Sequence, residues 1–114
     1  MNANSVRARV ARVLIVFAAA AGVAAPAAAA RIGILTNKYG TQTAADFNAS
    51  MSRHTFTAVD TSAAIPTLAA LTNAFDAILI FEDATYGNAT SVGNVAAAFA
   101  NTGRPVVLGT FYDQ

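Results

Sequence analysis

The sequence predicts an α/β protein whose core is a parallel sheet of four strands, with three helices on its two faces. Two observations support this prediction. Four short strand-like stretches alternate along the chain with three stretches of helical periodicity. Two of those strand-like stretches are apolar without interruption, as parallel strands buried on both faces require. Such alternation calls for right-handed crossovers, which place the strands parallel in one sheet.

The predicted strands span residues 31–36, 54–60, 77–81 and 105–111. The second strand alternates polar and apolar side chains, which is typical of an edge position. The third and fourth strands are continuously apolar, and this predicts that both are central in the sheet.

The first predicted helix spans residues 43–52, where apolar side chains recur at helical spacing and Thr43 and Asp46 stand at the separation of a capping box. The second spans residues 66–72 and has Pro66 at its start. The third is capped by Thr90 or Ser91, and Gly103 follows its end.

The most economical strand order is 2-1-3-4, the beginning of a doubly wound three-layer fold. The first helix then lies on one face, and the second and third lie on the other. No helix remains to cover the first face over strands three and four, so we expect exposed apolar side chains there. We expect either a second copy of the chain or a missing C-terminal half to cover that face, which makes the domain an incomplete fold.

Residues 1–30 have the layout of a secretory signal peptide. Three arginines precede an apolar run over residues 13–25, and a proline and four alanines follow it: Arg7, Arg9, Arg12, Pro26, Ala27, Ala28, Ala29 and Ala30. Cleavage is predicted after Ala30, and the mature protein is predicted to be secreted or periplasmic. The alternative is a retained anchor, but the run is shorter than the roughly 20 apolar residues of a membrane span.

The predicted mature domain, residues 31–114, carries four basic and six acidic side chains. A weakly acidic domain with scattered Lys and Arg lacks the electrostatic footprint of a nucleic-acid-binding protein. The sequence contains no cysteine, and this excludes disulfides, thiolate nucleophiles and cysteine-ligated metals.

Five stretches, at residues 56–60, 66–71, 75–81, 92–95 and 103–111, carry a resemblance to a domain of exported bacterial proteins. That domain is similar to the class I glutamine amidotransferase fold, which is flavodoxin-like. The resemblance covers most of the predicted mature chain but only the N-terminal half of the domain. Catalytic members of the wider fold carry a nucleophilic cysteine on a turn after a later strand, so the resemblance implies the fold here and not that activity.

Ligands of doubly wound sheets bind at the carboxyl ends of the strands. The candidate ligand-binding residues therefore follow the first and third predicted strands: Thr36, Asn37, Tyr39, Gly40, Thr41, Glu82 and Asp83. The first of these loops resembles the phosphate loop of flavodoxins, in which hydroxyls, a glycine and a helix N-terminus hold the phosphate of FMN.

No catalytic residue and no metal site are predicted. Glu82 and Asp83 are neighbours on an extended chain and point to opposite sides, so they are interpreted as a solvated charge pair. His54 is the single histidine and lacks a Ser or Cys partner at a diagnostic spacing.

These observations favour a non-catalytic, exported structural or interaction module that binds a small polar ligand at the strand ends and needs no cofactor. The first alternative is a flavodoxin-like FMN-binding domain for electron transfer. The second is a hydrolase half-domain whose catalytic residues lie on a missing continuation.

Overall fold

A computed structural model describes residues 27–82 and 86–110 of the 114-residue chain. Its elements are β1 (Arg31–Thr36), α1 (Gly40–Ser50), β2 (Thr55–Asp60), α2 (Leu68–Ala74), β3 (Ala77–Glu82), α3 (Ala89–Asn101) and β4 (Val106–Thr110). Most of the predicted signal peptide, Asp83 and the last four residues lie outside the described ranges. Within those ranges, no helix has the length and apolar character needed to cross a membrane.

The four strands form one all-parallel sheet in the order β2-β1-β3-β4. This confirms the predicted α/β fold and its strand order. Ile34 of β1 lies opposite Ala58 of β2 on one side and Leu79 of β3 on the other. Successive residues of a strand point to opposite faces of the sheet, so Ile34 and Leu35, both fully buried, belong to separate cores.

Helix α1 covers the first face of the sheet over β1 and β2. Its Ala44 packs with Ile34 and Phe56 in one buried cluster. The ring of Phe47 lies 5.2 Å from the ring of Phe56 and 6.1 Å from the ring of Phe81, measured between centroids. Such aromatic pairs stabilise a protein beyond what their buried area contributes. Phe47 therefore links α1 to both β2 and β3.

Helices α2 and α3 cover the second face, as predicted. The larger core lies there and contains Leu35, Leu71, Phe75, Ile78, Val92, Ala96 and Phe99. The ring of Phe75 lies so close to Gly33 that a Cβ at that position would stand 2.7 Å from two ring carbons. Because Gly33 has no side chain, the ring of Phe75 packs directly on the backbone of β1.

Strand β4 is an edge of the sheet, so the prediction that it is central is wrong. Among the described strands, it pairs with β3 alone. Val107 is 55% exposed and Leu108 is 70% exposed. A continuous apolar run predicts burial on both faces, but burial requires neighbours that the described part of the chain does not place there. Val107 lies on the same face as α1, beyond the two strands that the helix covers. Its exposure agrees with the expectation that this face is uncovered over β4.

The predicted capping box at Thr43 and Asp46 is wrong. Helix α1 begins three residues earlier, at Gly40, and Tyr39 precedes it. The hydroxyl of Thr43 donates to the backbone oxygen of Tyr39 at 3.0 Å, and Asp46 accepts a hydrogen bond from Gln42 at 2.8 Å. Both side chains are therefore engaged within the helix rather than at its start.

The other helix starts also differ from the predictions. Helix α2 begins at Leu68 because the hydroxyl of Thr67 accepts a hydrogen bond from Ala70 N at 3.1 Å, which leaves Pro66 outside the helix. Helix α3 begins after Asn88, so Thr90 and Ser91 lie inside it.

Candidate ligand-binding cleft

A cleft of about 540 Å³ lies at the carboxyl ends of β1 and β2, beside the N-terminus of α1. Its lining residues are Thr36, Asn37, Lys38, Tyr39, Gly40, Thr41, Gln42, Ala58 and Asp60. Five of the seven candidate residues line this cleft: Thr36, Asn37, Tyr39, Gly40 and Thr41. Glu82 ends β3, and Asp83 lies outside the described residues, so these two candidates stay predictions.

The floor of the cleft is a tight contact between the loop after β1 and the sheet. The buried hydroxyl of Thr36 donates to the backbone oxygen of Lys38 at 2.8 Å and accepts from its N–H at 3.2 Å. A Cβ on Gly40 would stand 2.6 Å from the Thr36 methyl and 3.1 Å from the Cβ of Ala58. The loop can therefore lie against β1 and β2 only because residue 40 has no side chain.

The first turn of α1 offers backbone donors at the cleft. Tyr39 precedes the helix in the left-handed region, with φ 56° and ψ 17°, and its side chain makes no capping hydrogen bond. The N–H of Thr43 donates to Tyr39 O at 2.9 Å. Because the first N–H groups of a helix lack acceptors within it, those of Gly40, Thr41 and Gln42 face this end of the helix.

Among the described residues that line the cleft, one side chain is basic and one is acidic. The ammonium of Lys38 lies 4.7 Å from the centroid of the Tyr39 ring, which is itself 60% exposed. Asp60 accepts hydrogen bonds from the side chain and then the backbone of Ser62, and these lower the pKa of its carboxyl group. Asp60 is consequently a carboxylate at neutral pH, and the cleft presents both signs of charge.

Sequence reasoning missed Lys38, Gln42, Ala58 and Asp60. The signal for Asp60 was available, because strand order 2-1-3-4 places the carboxyl end of the second strand beside that of the first. Lys38 stands within the predicted loop but does not belong to the hydroxyl and glycine pattern of a phosphate loop. The predicted list of binding residues therefore lacked those at the end of the neighbouring strand, β2.

His54 lies at the opposite end of the sheet from the cleft. Its Nδ1 accepts a hydrogen bond from Ala30 N at 3.1 Å, just before β1 and β2 begin. A strand of this length spans about 20 Å, so His54 cannot act on a ligand in the cleft. Across the described ranges, no group of three or more His, Asp or Glu side chains is arranged to hold a metal ion.

Comparison of the chain with protein-family models, with curated proteins and with solved structures found no match. The fold and the cleft define the chain as an α/β protein with a parallel sheet and a polar cleft at the carboxyl edge. The resemblance to the class I glutamine amidotransferase fold stays a prediction.

Proposed function

We propose that this protein is a non-catalytic, exported interaction module that binds a small polar ligand in the cleft after β1 and β2. The observation that carries the proposal is the cleft itself, whose lining brings together backbone donors, hydroxyls and two opposite charges. Small-molecule sites of α/β sheets lie at the carboxyl ends of the strands, as this cleft does. The volume of about 540 Å³ falls in the usual range for such sites.

The described side chains at the cleft do not form the pairing that catalysis requires. Nucleophilic or acid–base catalysis needs a nucleophile and a base within hydrogen-bonding reach of one another. The hydroxyl of Thr36 is engaged with the backbone of Lys38 on both sides. His54 lies at the other end of the sheet, and the hydroxyl that Asp60 accepts from belongs to Ser62, which is not one of the lining residues.

Binding is tested by recording amide resonances of the protein during separate titrations with glycine, glucose, inorganic phosphate and FMN. We expect at least one probe to shift resonances of residues 36–42 and 58–60 selectively. Thr41→Glu would place a carboxylate in the first turn of α1, where it competes with a ligand for the backbone donors, and would weaken the shifts. Ser50→Glu adds the same charge at the far end of α1 and would leave them intact. Shifts from no probe, or shifts unaffected by Thr41→Glu, would contradict the proposal.

The second candidate function is a flavodoxin-like FMN-binding domain. The placement of the predicted loop at the start of α1 favours it, since a helix N-terminus is a ready anion site. The carboxylate of Asp60 in the same cleft disfavours it, because like charges repel. Quenching of FMN fluorescence on addition of the protein, lost in Thr41→Glu because its carboxylate would repel the phosphate, would support an FMN-binding domain.

Export is proposed from the arrangement of residues 1–30. A chain cut after Ala30 would begin at Arg31, whose backbone N lies 2.8 Å from Oδ2 of Asp76. The new α-ammonium group would therefore meet a carboxylate. Expression of the full chain in a bacterial host, followed by mass measurement of the exported fraction, tests this: the expected mature chain begins at Arg31, and full-length protein retained in the cytoplasm would contradict it.

We propose that the uncovered part of the first face, over β4, is covered by a second copy of the chain or by a missing C-terminal half. Val107 lies on that face and is 55% exposed. Light scattering on the 114-residue chain tests the second copy. A dimer that Val107→Lys dissociates supports it, and a monomer at all concentrations contradicts it.

A further inference from the structure

We propose that the ligand of the cleft is a zwitterion with one carboxylate and one ammonium group, held between Lys38 and Asp60. This inference rests on the proposed binding function and adds the chemical class of the ligand. The two side chains line the same cleft and carry opposite charges. A ligand that bears both charges can pair with both side chains. A ligand with a single charge pairs with one of them and is repelled by the other.

The two charges of the cleft are not neutralised by each other. In the described ranges, 27–82 and 86–110, an ion pair joins Arg31 to Asp76, and Lys38 and Asp60 form no such pair together. The ammonium of Lys38 instead lies over the ring of Tyr39, a contact that leaves its N–H donors available. Lys38 can therefore donate to a ligand carboxylate.

The carboxylate of Asp60 can also accept a hydrogen bond from a ligand. One carboxylate oxygen of Asp60, Oδ1, accepts from Ser62 N at 2.8 Å, and the side chain is otherwise exposed. That hydrogen bond fixes the carboxylate at the end of β2 and leaves acceptor capacity, because an ionised carboxylate has about four lone-pair sites. Asp60 can accept from a ligand ammonium without losing Ser62.

The charge balance of the cleft distinguishes this ligand class from two others. A phosphate ester would place about two negative charges beside the carboxylate of Asp60, with one lysine to offset them. A neutral sugar would leave both charged side chains without an ionic partner. A zwitterion leaves the net charge of the cleft unchanged and gives each of the two charged side chains an ionic partner.

The test uses a series of unbranched amino acids that differ in the separation of their charges: glycine, β-alanine, 4-aminobutanoate and 6-aminohexanoate. Butanoate and butylammonium are the matched ligands of single charge. Dissociation constants are obtained from the amide resonances of residues 36–42 and 58–60. We expect one member of the series to bind at least tenfold more tightly than either single-charge ligand, because each charged contact of about 1.4 kcal/mol is worth a factor of ten.

Variants assign the contacts. Lys38→Gln and Asp60→Asn should each remove the advantage of the best zwitterion, and Asn at residue 60 can still accept from Ser62. Arg53→Gln removes one positive charge from an exposed side chain outside the cleft lining and should leave affinity unchanged.

The two proposals fail differently. Butanoate, butylammonium or inorganic phosphate that binds in the cleft as tightly as the best zwitterion would overturn the zwitterion and leave the binding function standing. If none of these compounds, glucose or FMN shifts the cleft resonances, both proposals fall.

Discussion

The side-chain amide of Asn48 forms two hydrogen bonds with the backbone of Phe56. Asn48 Nδ2 donates to Phe56 O at 2.9 Å, and Phe56 N donates to Asn48 Oδ1 at 2.8 Å. Phe56 lies in β2, which within residues 27–82 and 86–110 pairs only with β1, so the outer side of its backbone meets no described strand. A side chain of α1 thus replaces a strand at one residue of the open edge and fixes the helix on the sheet.

Asn48→Ala is expected to destabilise the protein by about 1–2 kcal/mol. Two backbone groups of a buried residue would lose their partners, each at a cost of about 1 kcal/mol, and the better helix propensity of Ala would recover a fraction. Urea unfolding measures the change. Asn94→Ala is the control, because Asn94 is an exposed residue in the middle of α3; equal effects of the two substitutions would show that the hydrogen bonds to Phe56 contribute nothing.

Two helical glycines are expected to respond to alanine with opposite signs. Gly93→Ala should stabilise the protein by about 0.5–1 kcal/mol, because a Cβ there meets no atom within 4 Å and alanine favours the helix. Gly40→Ala should destabilise it by about 1–3 kcal/mol, because its Cβ would overlap Thr36 and Ala58. Thermal unfolding of both variants is the measurement, and a stabilised Gly40→Ala would mean that the loop does not rest on the sheet.

The buried hydroxyls of Thr36 and Thr61 form a second matched pair. The Thr36 hydroxyl makes two hydrogen bonds to Lys38, whereas the Thr61 hydroxyl is buried with no partner within the described part of the chain. Thr61→Val should therefore raise the free energy of unfolding by about 1 kcal/mol, and Thr36→Val should lower it by about 1–3 kcal/mol.

Urea titrations of the two valine variants give the comparison. Thr36→Val should in addition weaken any ligand of the cleft, because the loop would lose its attachment at Lys38. A loss of stability in Thr61→Val would indicate that its hydroxyl has a partner after all.

Much of the fold could be predicted because the strands carry their own signal. Parallel strands are apolar over most of their length, and β1 was predicted with the bounds that the structure has. Helix starts were harder. At α1 the chain uses a left-handed Tyr39, which nothing in the residue type indicates, and at α3 the amide of Asn88 reaches Thr61 instead of capping its helix.

The cleft was predicted in part for the same reason. A loop that follows a strand is visible in the sequence, so Thr36 to Thr41 could be found. Asp60 depends on which strands are neighbours, and the contact of Asn48 with Phe56 depends on a helix meeting an edge. Such relationships arise only when separate elements pack together, and no local pattern reports them.

The surface pair of Arg31 and Asp76 is expected to make stability depend on pH in the acid range. The hydrogen bonds from the Arg31 side chain and backbone lower the pKa of Asp76 from 3.8 to about 2. Between these values the unfolded chain binds more protons than the folded one, so stability rises with pH. The contribution is complete above about pH 4 and is lost as pH falls through 2.

Asp76→Asn should flatten the dependence of unfolding free energy on pH between about 4 and 2. Urea unfolding at a series of pH values measures that slope. Arg31→Gln should reduce the slope in the natural chain and have no further effect on it in the Asp76→Asn background. An unchanged slope in Asp76→Asn would place the acid sensitivity elsewhere.

The docking of α3 is expected to decide whether the domain folds. Phe99 is fully buried in the larger core, with the guanidinium of Arg104 5.8 Å from its ring centroid. Phe99→Ala should cost about 3–5 kcal/mol, a large share of the 5–15 kcal/mol that stabilises a typical domain. Leu108→Ala is the control, because a side chain 70% exposed on β4 loses little burial. Calorimetric unfolding of both variants separates them, and a Phe99→Ala protein as stable as Leu108→Ala would mean that α3 does not pack on the sheet in solution.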